Sequence, residues 1–339
     1  MKKAMKIFLR VLFTLLIAIV LFNIIMYLLS SGDYSVPNTV EQDTSIQHID
    51  IDGVVFHAET FGNDTNQTVI VIHGGPGNDY RYLLPLKDLA DEYFVVFYDQ
   101  RGTGLSPRVD EEEHSLEISL KDLADIADYY SPDKQVYLIG HSWGAMLASG
   151  YMAQNPGRVS KAVLAEPGML TSEKASEYLE AFKIKMSWKG IKALVRILFE
   201  SFHVKNGDKQ ARIDYVFGQI GTLDMEGNPM RKYFCNEDIQ NAYIPYWRFS
   251  GLASQTIRKK GMDENGNMII DLVSGLENYS KKVLFMAGEC SQIIGEAFQE
   301  DHMKYFPNAA LVVIKDAGHT MFGEKPGESL EIIKTYFTE

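Results

Sequence analysis

The chain has 339 residues, of which 46% are hydrophobic, which is enough for one large domain with an insertion around a sizeable core. Its formal net charge of −12 argues against nucleic acid as a partner. It contains two cysteines, Cys235 and Cys290, which are too few for a disulfide framework and are not spaced as metal ligands. Whether these two cysteines pair is left open by the sequence.

The first thirty residues differ from the rest of the chain. Four basic residues come first: Lys2, Lys3, Lys6 and Arg10. They precede an apolar run over residues 11–29, which as a helix is long enough to cross a hydrocarbon core of about 30 Å. Because basic flanks stay in the cytoplasm, residues 1–31 predict a single-pass membrane anchor with the remaining chain on the extracytoplasmic side. A cleaved signal peptide is the alternative, although residues 28–32 form a poor cleavage site.

The next part of the chain alternates strand-like and helix-like patterns. Residues 32–45 are polar and predict a linker, and residues 46–58 are typical of an antiparallel hairpin turning at Asp52 and Gly53. Apolar runs typical of strands buried on both faces follow at residues 69–72, 94–98, 136–139 and 162–165. Helical spacing over residues 116–130 leads to the third of these runs. The pattern predicts a mostly parallel sheet flanked by helices, whose first part spans residues 46–166.

The alternation stops between residues 167 and 275. This segment instead holds amphipathic, aromatic-rich stretches at residues 178–188, 191–202, 213–220 and 239–249. We interpret it as an inserted helical cap. The second part of the core then spans residues 276–339, with strand-like runs and helical patterns at residues 283–287, 296–306, 311–314 and 329–337.

The most specific stretch is Gly-His-Ser-Trp-Gly at residues 140–144, between an apolar strand and a helix-forming run. A serine on so tight a strand-to-helix turn projects its hydroxyl outward, and the flanking glycines permit close backbone approach. The N-terminus of the following helix favours a developing negative charge at the same place. We therefore predict Ser142 as a nucleophile.

The other parts of an acyl-transfer site lie in loops after other predicted strands. Among eight histidines, His319 follows the last strand in the order Ser, acid, His, which makes it the candidate base. Two backbone amides are candidates for an oxyanion hole. Trp143 directly follows the nucleophile, and Gly75 lies within His-Gly-Gly-Pro-Gly at residues 73–77. Because ligands bind beyond the carboxyl ends of parallel strands, we expect these residues to meet there.

Four motifs together resemble the proline iminopeptidase-like branch of the α/β-hydrolase superfamily. They are His-Gly-Gly-Pro-Gly at 73–77, Asp-Gln-Arg-Gly-x-Gly-x-Ser at 99–106, Gly-His-Ser-Trp-Gly at 140–144 and Gly-His at 318–319. The resemblance implies the α/β-hydrolase fold and a serine hydrolase with a helical cap. Such an enzyme would act on a small peptide, amide or ester without a metal or an organic cofactor. The resemblance also favours an aminopeptidase of the proline iminopeptidase type.

The sequence departs from this family at the expected triad acid. The family usually carries an aspartate shortly after its seventh strand, as Gly-x-x-Asp, but Ser291 stands there in this chain. In one explanation Glu166, at the end of the strand after the nucleophile helix, supplies the carboxylate. In the others, Glu289 or Glu296 supplies it from a shifted loop, or the triad is incomplete. We take Glu166 as the acid because it ends an apolar strand beside the site.

The sequence says less about the substrate. True iminopeptidases hold the substrate's amine with acids of the cap, and the candidates here are Glu173, Glu177, Glu237 and Asp238. Their surroundings do not reproduce the family's cap motif, and acids in such a pattern are more often part of a solvated helix face. A group of aromatic side chains either lines a pocket or packs the cap, and we expect packing for Tyr243, Tyr246, Trp247 and Phe249.

Three alternatives to an aminopeptidase are left by the sequence. The first is a carboxylic ester hydrolase of the same fold. The second is a hydrolase-fold binding or sensor protein whose chemistry is weakened at Ser291. The third is a lyase or transferase on the same scaffold. The nucleophile, base and oxyanion motifs favour an enzyme over a binding protein.

Overall fold

Within residues 2–183, 185, 187–205 and 207–339, which the computed structural model of the chain describes, eight strands form one sheet. The strands are β1 His48–Ile51, β2 Val54–Phe61, β3 Thr68–Ile72, β4 Phe94–Tyr98, β5 Val136–His141, β6 Val159–Ala165, β7 Val283–Gly288 and β8 Ala309–Ile314. Their order is β1-β2-β4-β3-β5-β6-β7-β8. The two pairs that involve β2 are antiparallel and all others are parallel, so the predicted mostly parallel sheet is confirmed.

Helices cover both faces of this sheet. The described helices are α1 Lys2–Leu29, α2 Leu116–Tyr130, α3 Trp143–Gln154, α4 Ser172–Ala181, α5 Trp188–Ser201, α6 Ala211–Gly221, α7 Gly251–Lys260, α8 Glu296–Met303, α9 Met321–Glu324 and α10 Pro326–Thr338. Side chains from α2, α3 and α8 pack on one face. The opposite face is covered by α9, α10 and the 3₁₀ segment Arg81–Asp91. Because both faces are covered, every residue of β3 and β4 is buried, which explains their continuous apolar sequences.

The chain between β6 and β7 holds α4 to α7, in the region where a helical cap is predicted. One expected helix, over residues 239–249, is wrong: this stretch is irregular, and helix α7 begins only at Gly251. Pro245 interrupts it, and the carboxylate of Asp79 accepts the backbone N–H groups of Trp247 and Arg248 at 2.7 and 3.0 Å. The stretch predicted over residues 178–188 includes positions 184 and 186, which lie outside the described residues.

A disulfide joins Cys235 of the cap to Cys290 in the loop after β7. Both neighbouring segments contain residues close to the site, since Tyr233 lies two residues before one cysteine and Ser291 directly follows the other. The backbone N–H of Gln292 also donates to the carbonyl oxygen of Lys232 at 2.8 Å. The cap is thus fixed to the core at this edge of the sheet.

Helix α1 is exposed along its length, and residues 3–29 are long and apolar enough to cross a membrane. Its C-terminal part contacts the cap, where the rings of Phe22 and Phe199 meet edge to face at 6.2 Å. The polar segment after α1 is held at two further points. Val40 donates its N–H to the carbonyl oxygen of Leu105 at 2.8 Å, and the backbone at Tyr34 pairs with that at Val204.

Candidate active site

Ser142 lies in the turn between β5 and α3, with φ 54° and ψ −119°. Close packing enforces this turn: a Cβ on Gly144 would overlap the carbonyl oxygen of Ile72, and one on Gly140 would overlap the backbone of Gly144. The left-handed backbone projects the serine side chain away from the sheet at the N-terminus of α3. The predicted strand-turn-helix setting of Ser142 is therefore present.

His319 and Glu166 come together at the carboxyl edge of the sheet. The Nδ1 atom of His319 lies 2.5 Å from Oε2 of Glu166, and both side chains are buried. Glu166 is the residue directly after β6, and its backbone has φ 43°. Its other oxygen, Oε1, accepts the backbone N–H of Gly288 at 2.8 Å. The carboxylate thus bridges the ends of β6 and β7 and contacts the imidazole.

The two alternative acids of the sequence analysis lie elsewhere. Glu289 is exposed, and its Oε2 accepts the backbone N–H of Asp316 at 3.0 Å. Glu296 is exposed at the first position of α8. The carboxylate that contacts His319 in this structure is therefore that of Glu166.

Ser291, at the usual position of the family acid, donates its hydroxyl to Oε2 of Glu166 at 3.0 Å. This hydrogen bond stabilises the ionised carboxylate. From the sequence alone Ser291 is the place of a missing acid, whereas in the structure it is a donor to another carboxylate. No sequence pattern signals this role, because it depends on the distance between the ends of β6 and β7.

Burial has opposite effects on the two partners of this dyad. It lowers the pKa of His319 to about 3, so the imidazole is neutral at rest. It raises the pKa of Glu166 to about 8, against the opposing effect of the Gly288 N–H and the Ser291 hydroxyl. Only the ionised carboxylate can accept the Nδ1 proton of His319 and stabilise an imidazolium. Hydrolysis by this dyad is therefore expected to increase as the pH rises toward the pKa of Glu166.

Replacing Ser291 with alanine should move the acid limb of the pH–rate profile to higher pH. Loss of a hydrogen bond to a charged group, worth about 1.5–3 kcal/mol, raises the pKa of Glu166 further, by roughly one unit or more. Activity should fall at neutral pH and recover at alkaline pH. The measurement is kcat/KM between pH 6 and 10 beside Ser149→Ala, which removes a buried hydroxyl of α3 whose hydrogen bond, among the described residues, is to the carbonyl oxygen of Ala145 in its own helix. Equal profiles for the two variants would contradict the role of Ser291.

The residue 73–77 loop lies directly against Ser142. A Cβ on Gly74 would lie 3.0 Å from the Cβ of Ser142. The N–H of Gly74 is already used, since it donates to the hydroxyl of Tyr82 at 2.8 Å. Among the described residues the N–H of Gly75 has no acceptor. The N–H of Gly77 likewise has no acceptor among the described residues, and Gly75 stays the predicted loop donor together with Trp143 at the start of α3.

Gln100 fixes this loop to Trp143. Its side-chain amide accepts the indole N–H of Trp143 at 3.0 Å and donates to the carbonyl oxygen of His73 at 2.8 Å. Its backbone N–H donates to Nε2 of His73 at 3.0 Å. The Asp-Gln-Arg motif therefore holds the two candidate oxyanion donors in a fixed relation.

A hydrogen-bonded chain connects the same loop to His319. The hydroxyl of Tyr82 lies 2.7 Å from Nδ1 of His141, and Nε2 of His141 lies 2.7 Å from the carbonyl oxygen of His319. A carbonyl can only accept, so His141 is protonated on Nε2 and accepts the Tyr82 hydroxyl at Nδ1. Burial lowers the pKa of His141 well below its usual value, which keeps the ring neutral. These hydrogen bonds connect the residue 73–77 loop, which carries a candidate oxyanion donor, to the candidate base His319.

Replacing Tyr82 with phenylalanine should lower kcat about tenfold with little change in KM, because buried partners at Gly74 and His141 lose a bond worth about 1–3 kcal/mol. The rate of labelling by a fluorophosphonate should fall in parallel. The matched control is Tyr98→Phe. Tyr98 is also fully buried, but its hydroxyl has no partner within the described part of the chain. Similar kinetics for both variants would exclude a positioning role for Tyr82.

The cap supplies one wall of the site. The ring of Tyr233 stacks on His319 with centroids 4.4 Å apart, and its carbonyl oxygen accepts the backbone N–H of His319 at 2.7 Å. Tyr233 was not predicted, and its position follows from the fold of the cap rather than from a motif. Of the aromatic residues that were considered, Trp247 packs against Tyr80 and His57, and Phe249 lies against Gly77.

The candidate cap acids are held in local contacts or face solvent. Asp238 accepts the side-chain amide of Asn241 at 2.7 Å, and Glu177 pairs with Lys174 at 3.5 Å on an exposed helix face. Glu173 is exposed, and Glu237 lies 4.0 Å from Arg231. In the described part of the chain, none of these four acids has a contact with His319. Among the described residues, no group of three or more potential metal ligands is clustered.

Comparison with known proteins shows the family of the chain. The sequence profile of the alpha/beta hydrolase fold family matches residues 67–326, most of the chain. The chain belongs to the α/β-hydrolase family. This hydrolase is 24% identical to a cis-3-alkyl-4-alkyloxetan-2-one decarboxylase of Shewanella oneidensis over 80% of its own length and 82% of that protein. It is 37% identical to a proline iminopeptidase of Heyndrickxia coagulans, over 35% of the chain and 42% of that protein.

Solved structures show the same fold. A proline iminopeptidase-related protein of Thermus thermophilus has a TM-score of 0.57 at 20% identity, covering 86% of this hydrolase and 96% of that chain. An esterase of Thermogutta terrifontis has a TM-score of 0.60 at 19% identity, covering 86% and 98%. The predicted fold and the resemblance to proline iminopeptidases are confirmed. The relatives carry out different reactions, so they do not fix the substrate.

Proposed function

We propose that this hydrolase cleaves a small peptide, amide or ester through a covalent acyl-enzyme. Ser142 attacks the carbonyl carbon, and His319 takes the serine proton at Nε2 and later delivers it to the leaving group. The amides of Gly75 and Trp143 stabilise the oxyanion, and Glu166 orients and stabilises the imidazolium. Water then hydrolyses the ester bond to Ser142 and regenerates the free hydroxyl.

The contact between His319 and Glu166 is the observation that carries this proposal. Burial makes ionisation of the Glu166 carboxylate costly, as its raised pKa shows. The N–H of Gly288, the hydroxyl of Ser291 and the imidazole of His319 offset this cost, and such a perturbed group is typical of a functional site. The tight turn at Ser142 between β5 and α3, here called the elbow, and the free N–H of Gly75 supply the remaining parts of an acyl-transfer site. No element of this arrangement calls for a metal or an organic cofactor.

The sequence motifs favour an aminopeptidase, whose substrate is a short peptide with a free amine. Ester hydrolysis is the second candidate, and the local contacts of the cap acids support it, since an ester has no free amine to hold. Both reactions use the same nucleophile and base. They differ in the leaving group, an amine or an alcohol, and in what the cap must recognise.

The test is to label the full-length chain in detergent with a fluorophosphonate and to map the modified residue by mass spectrometry. We expect the label on Ser142. Proline and alanine arylamides are then compared with short-chain esters. Arylamide cleavage supports the aminopeptidase, and ester cleavage alone supports the esterase. A folded chain that takes no label would instead support a binding or sensor protein.

We also propose that α1 anchors the enzyme in the cell membrane with the catalytic domain on the extracytoplasmic side. Its apolar length and its basic N-terminal flank support this orientation. The disulfide between Cys235 and Cys290 supports the same side, since disulfides persist in oxidising compartments. A cleaved signal sequence is the alternative, and the N-terminal residue of the protein recovered from membranes distinguishes the two.

A further inference from the structure

Helix α5 of the cap carries an exposed apolar stripe. Outside α1, the large apolar side chains exposed in the described part of the chain are Tyr129, Trp188, Ile191, Leu198, Phe202 and Ile269. Four of these six belong to α5 or directly follow it, and they are 39–70% exposed. With about 100° between successive residues, Trp188, Ile191, Leu198 and Phe202 lie within a sector of roughly 80° on one side of the helix. The exposure is therefore concentrated in one face.

Basic side chains lie along one edge of this α5 stripe. Lys189, Lys192 and Arg196 are exposed and occupy the adjoining sector of the helix. The only acid of α5, Glu200, is buried and bonded to Arg196 at 2.6 Å and to Tyr215 at 2.9 Å. In a chain with a net charge of −12, this face is locally cationic. An apolar stripe with a basic flank is typical of a helix that lies in the surface of an anionic bilayer.

The contacts of α1 show which bilayer would cover the stripe. Phe199, next to the α5 stripe, meets Phe22, and the ring of Tyr27 lies 4.2 Å from that of His203. His203 also donates Nε2–H to the carbonyl oxygen of Tyr27 at 2.9 Å. Phe22 is seven residues before the end of α1, which is about 10 Å along the helix axis. Interfacial helices penetrate about 5–10 Å, so α5 contacts α1 at the matching depth.

We propose that the α5 stripe lies in the outer surface of the membrane that α1 crosses, in contact with anionic lipid. The cap then rests on the bilayer through Trp188, Ile191, Leu198 and Phe202, while Lys189 and Lys192 bind lipid headgroups. This proposal rests on the membrane placement of α1 under the proposed function, and it does not depend on hydrolysis.

The test uses the fluorescence of the three tryptophans in the full-length chain, reconstituted in vesicles of phosphatidylcholine and phosphatidylglycerol. Trp188→Phe isolates the contribution of Trp188, since Trp143 is buried and Trp247 is partly buried against the core. We expect brominated phosphatidylcholine to lower the Trp188 emission about twofold or more, as for an interfacial residue, and aqueous acrylamide to have little effect. The matched control is Tyr129→Trp in the Trp188→Phe background, an exposed aromatic site on α2 that should respond in the opposite way.

Three results would overturn the proposal. Trp188 emission that acrylamide quenches and brominated lipid does not would place the stripe in water. Shielding from both quenchers would mean that protein, such as a second copy, covers it. Absence of the chain from floated vesicles would remove the anchor as well.

A second experiment tests the role of anionic lipid. Brominated lipid should quench Trp188 more strongly in vesicles with phosphatidylglycerol than in vesicles without it, and Lys189→Glu with Lys192→Glu should abolish this difference in quenching. An unchanged difference would overturn the role of anionic lipid. Ser142→Ala should leave all these results unaltered, so a failed hydrolase would still report membrane contact.

Discussion

Replacing Ser142 with alanine should lower kcat about 10⁶-fold and abolish fluorophosphonate labelling, as expected for loss of the nucleophile of a triad. The exchange removes one hydroxyl and nothing else that holds the turn. Ser142 keeps its place through backbone bonds, from its N–H to Ala165 at 2.9 Å and from Ala145 to its carbonyl oxygen at 3.0 Å. A left-handed φ of 54° strains alanine as much as it strains serine. The thermal midpoint should therefore change little.

The control for this variant is Ser149→Ala on the same helix. Ser149 is buried and donates only to the carbonyl oxygen of Ala145, so its loss should affect stability slightly and leave labelling intact. Steady-state kinetics and labelling of both variants, with circular dichroism to confirm folding, make the comparison. Hydrolysis that persists in Ser142→Ala at more than a trace would exclude the acyl-enzyme route.

Replacing Glu166 with glutamine should lower kcat about 10⁴-fold, the cost of a misoriented base in the triad template. Glutamine keeps the acceptor for the N–H of Gly288 but can present an amide N–H to Nδ1 of His319. That contact favours the tautomer with the proton on Nε2, which cannot take a proton from Ser142. Removal of a buried carboxylate also removes its desolvation cost, so the variant should fold.

Glu289→Gln and Glu296→Gln are the matched controls for this experiment. Both are exposed carboxylates at the ends of the loop between β7 and α8, and each was an alternative acid by sequence alone. We expect both to retain kcat within about twofold, as surface substitutions usually do. Full activity in Glu166→Gln together with a large loss in Glu289→Gln would transfer the role to the shifted loop. Full activity in all three would show that the histidine needs no carboxylate.

The core of the fold could be predicted because its signals are local. Buried parallel strands have continuous apolar sequences, as at residues 69–72 and 94–98, and the motif glycines mark turns that only a small residue fits. The elbow at Ser142 combines both signals. The cap lacks such signals, and the helix expected over residues 239–249 is absent because Asp79, more than 150 residues earlier, binds its backbone.

The candidate site was predictable only in part. Ser142, His319 and the residue 73–77 loop follow from motifs with a fixed place on the fold. Glu166 was one of three explanations, and its contact with His319 depends on how far the ends of β6 and β7 lie apart. The supporting residues Tyr82 and Tyr233 have no motif of their own. Their contacts join segments that are distant in the sequence: the hydroxyl of Tyr82 contacts His141, and the ring of Tyr233 stacks on His319.

The disulfide at Cys290 gives the loop after β7 a second use. In the usual arrangement of the family this loop must hold the triad acid, so its conformation is tied to the chemistry. With Glu166 as the proposed acid, the same loop instead holds Ser291, which donates its hydroxyl to Glu166, and Cys290, which links the loop covalently to the cap. The cap segment that ends in Cys235 also carries Tyr233 on His319. A reducing environment would release this link, so the position of Tyr233 on His319 would depend on the redox state around the protein.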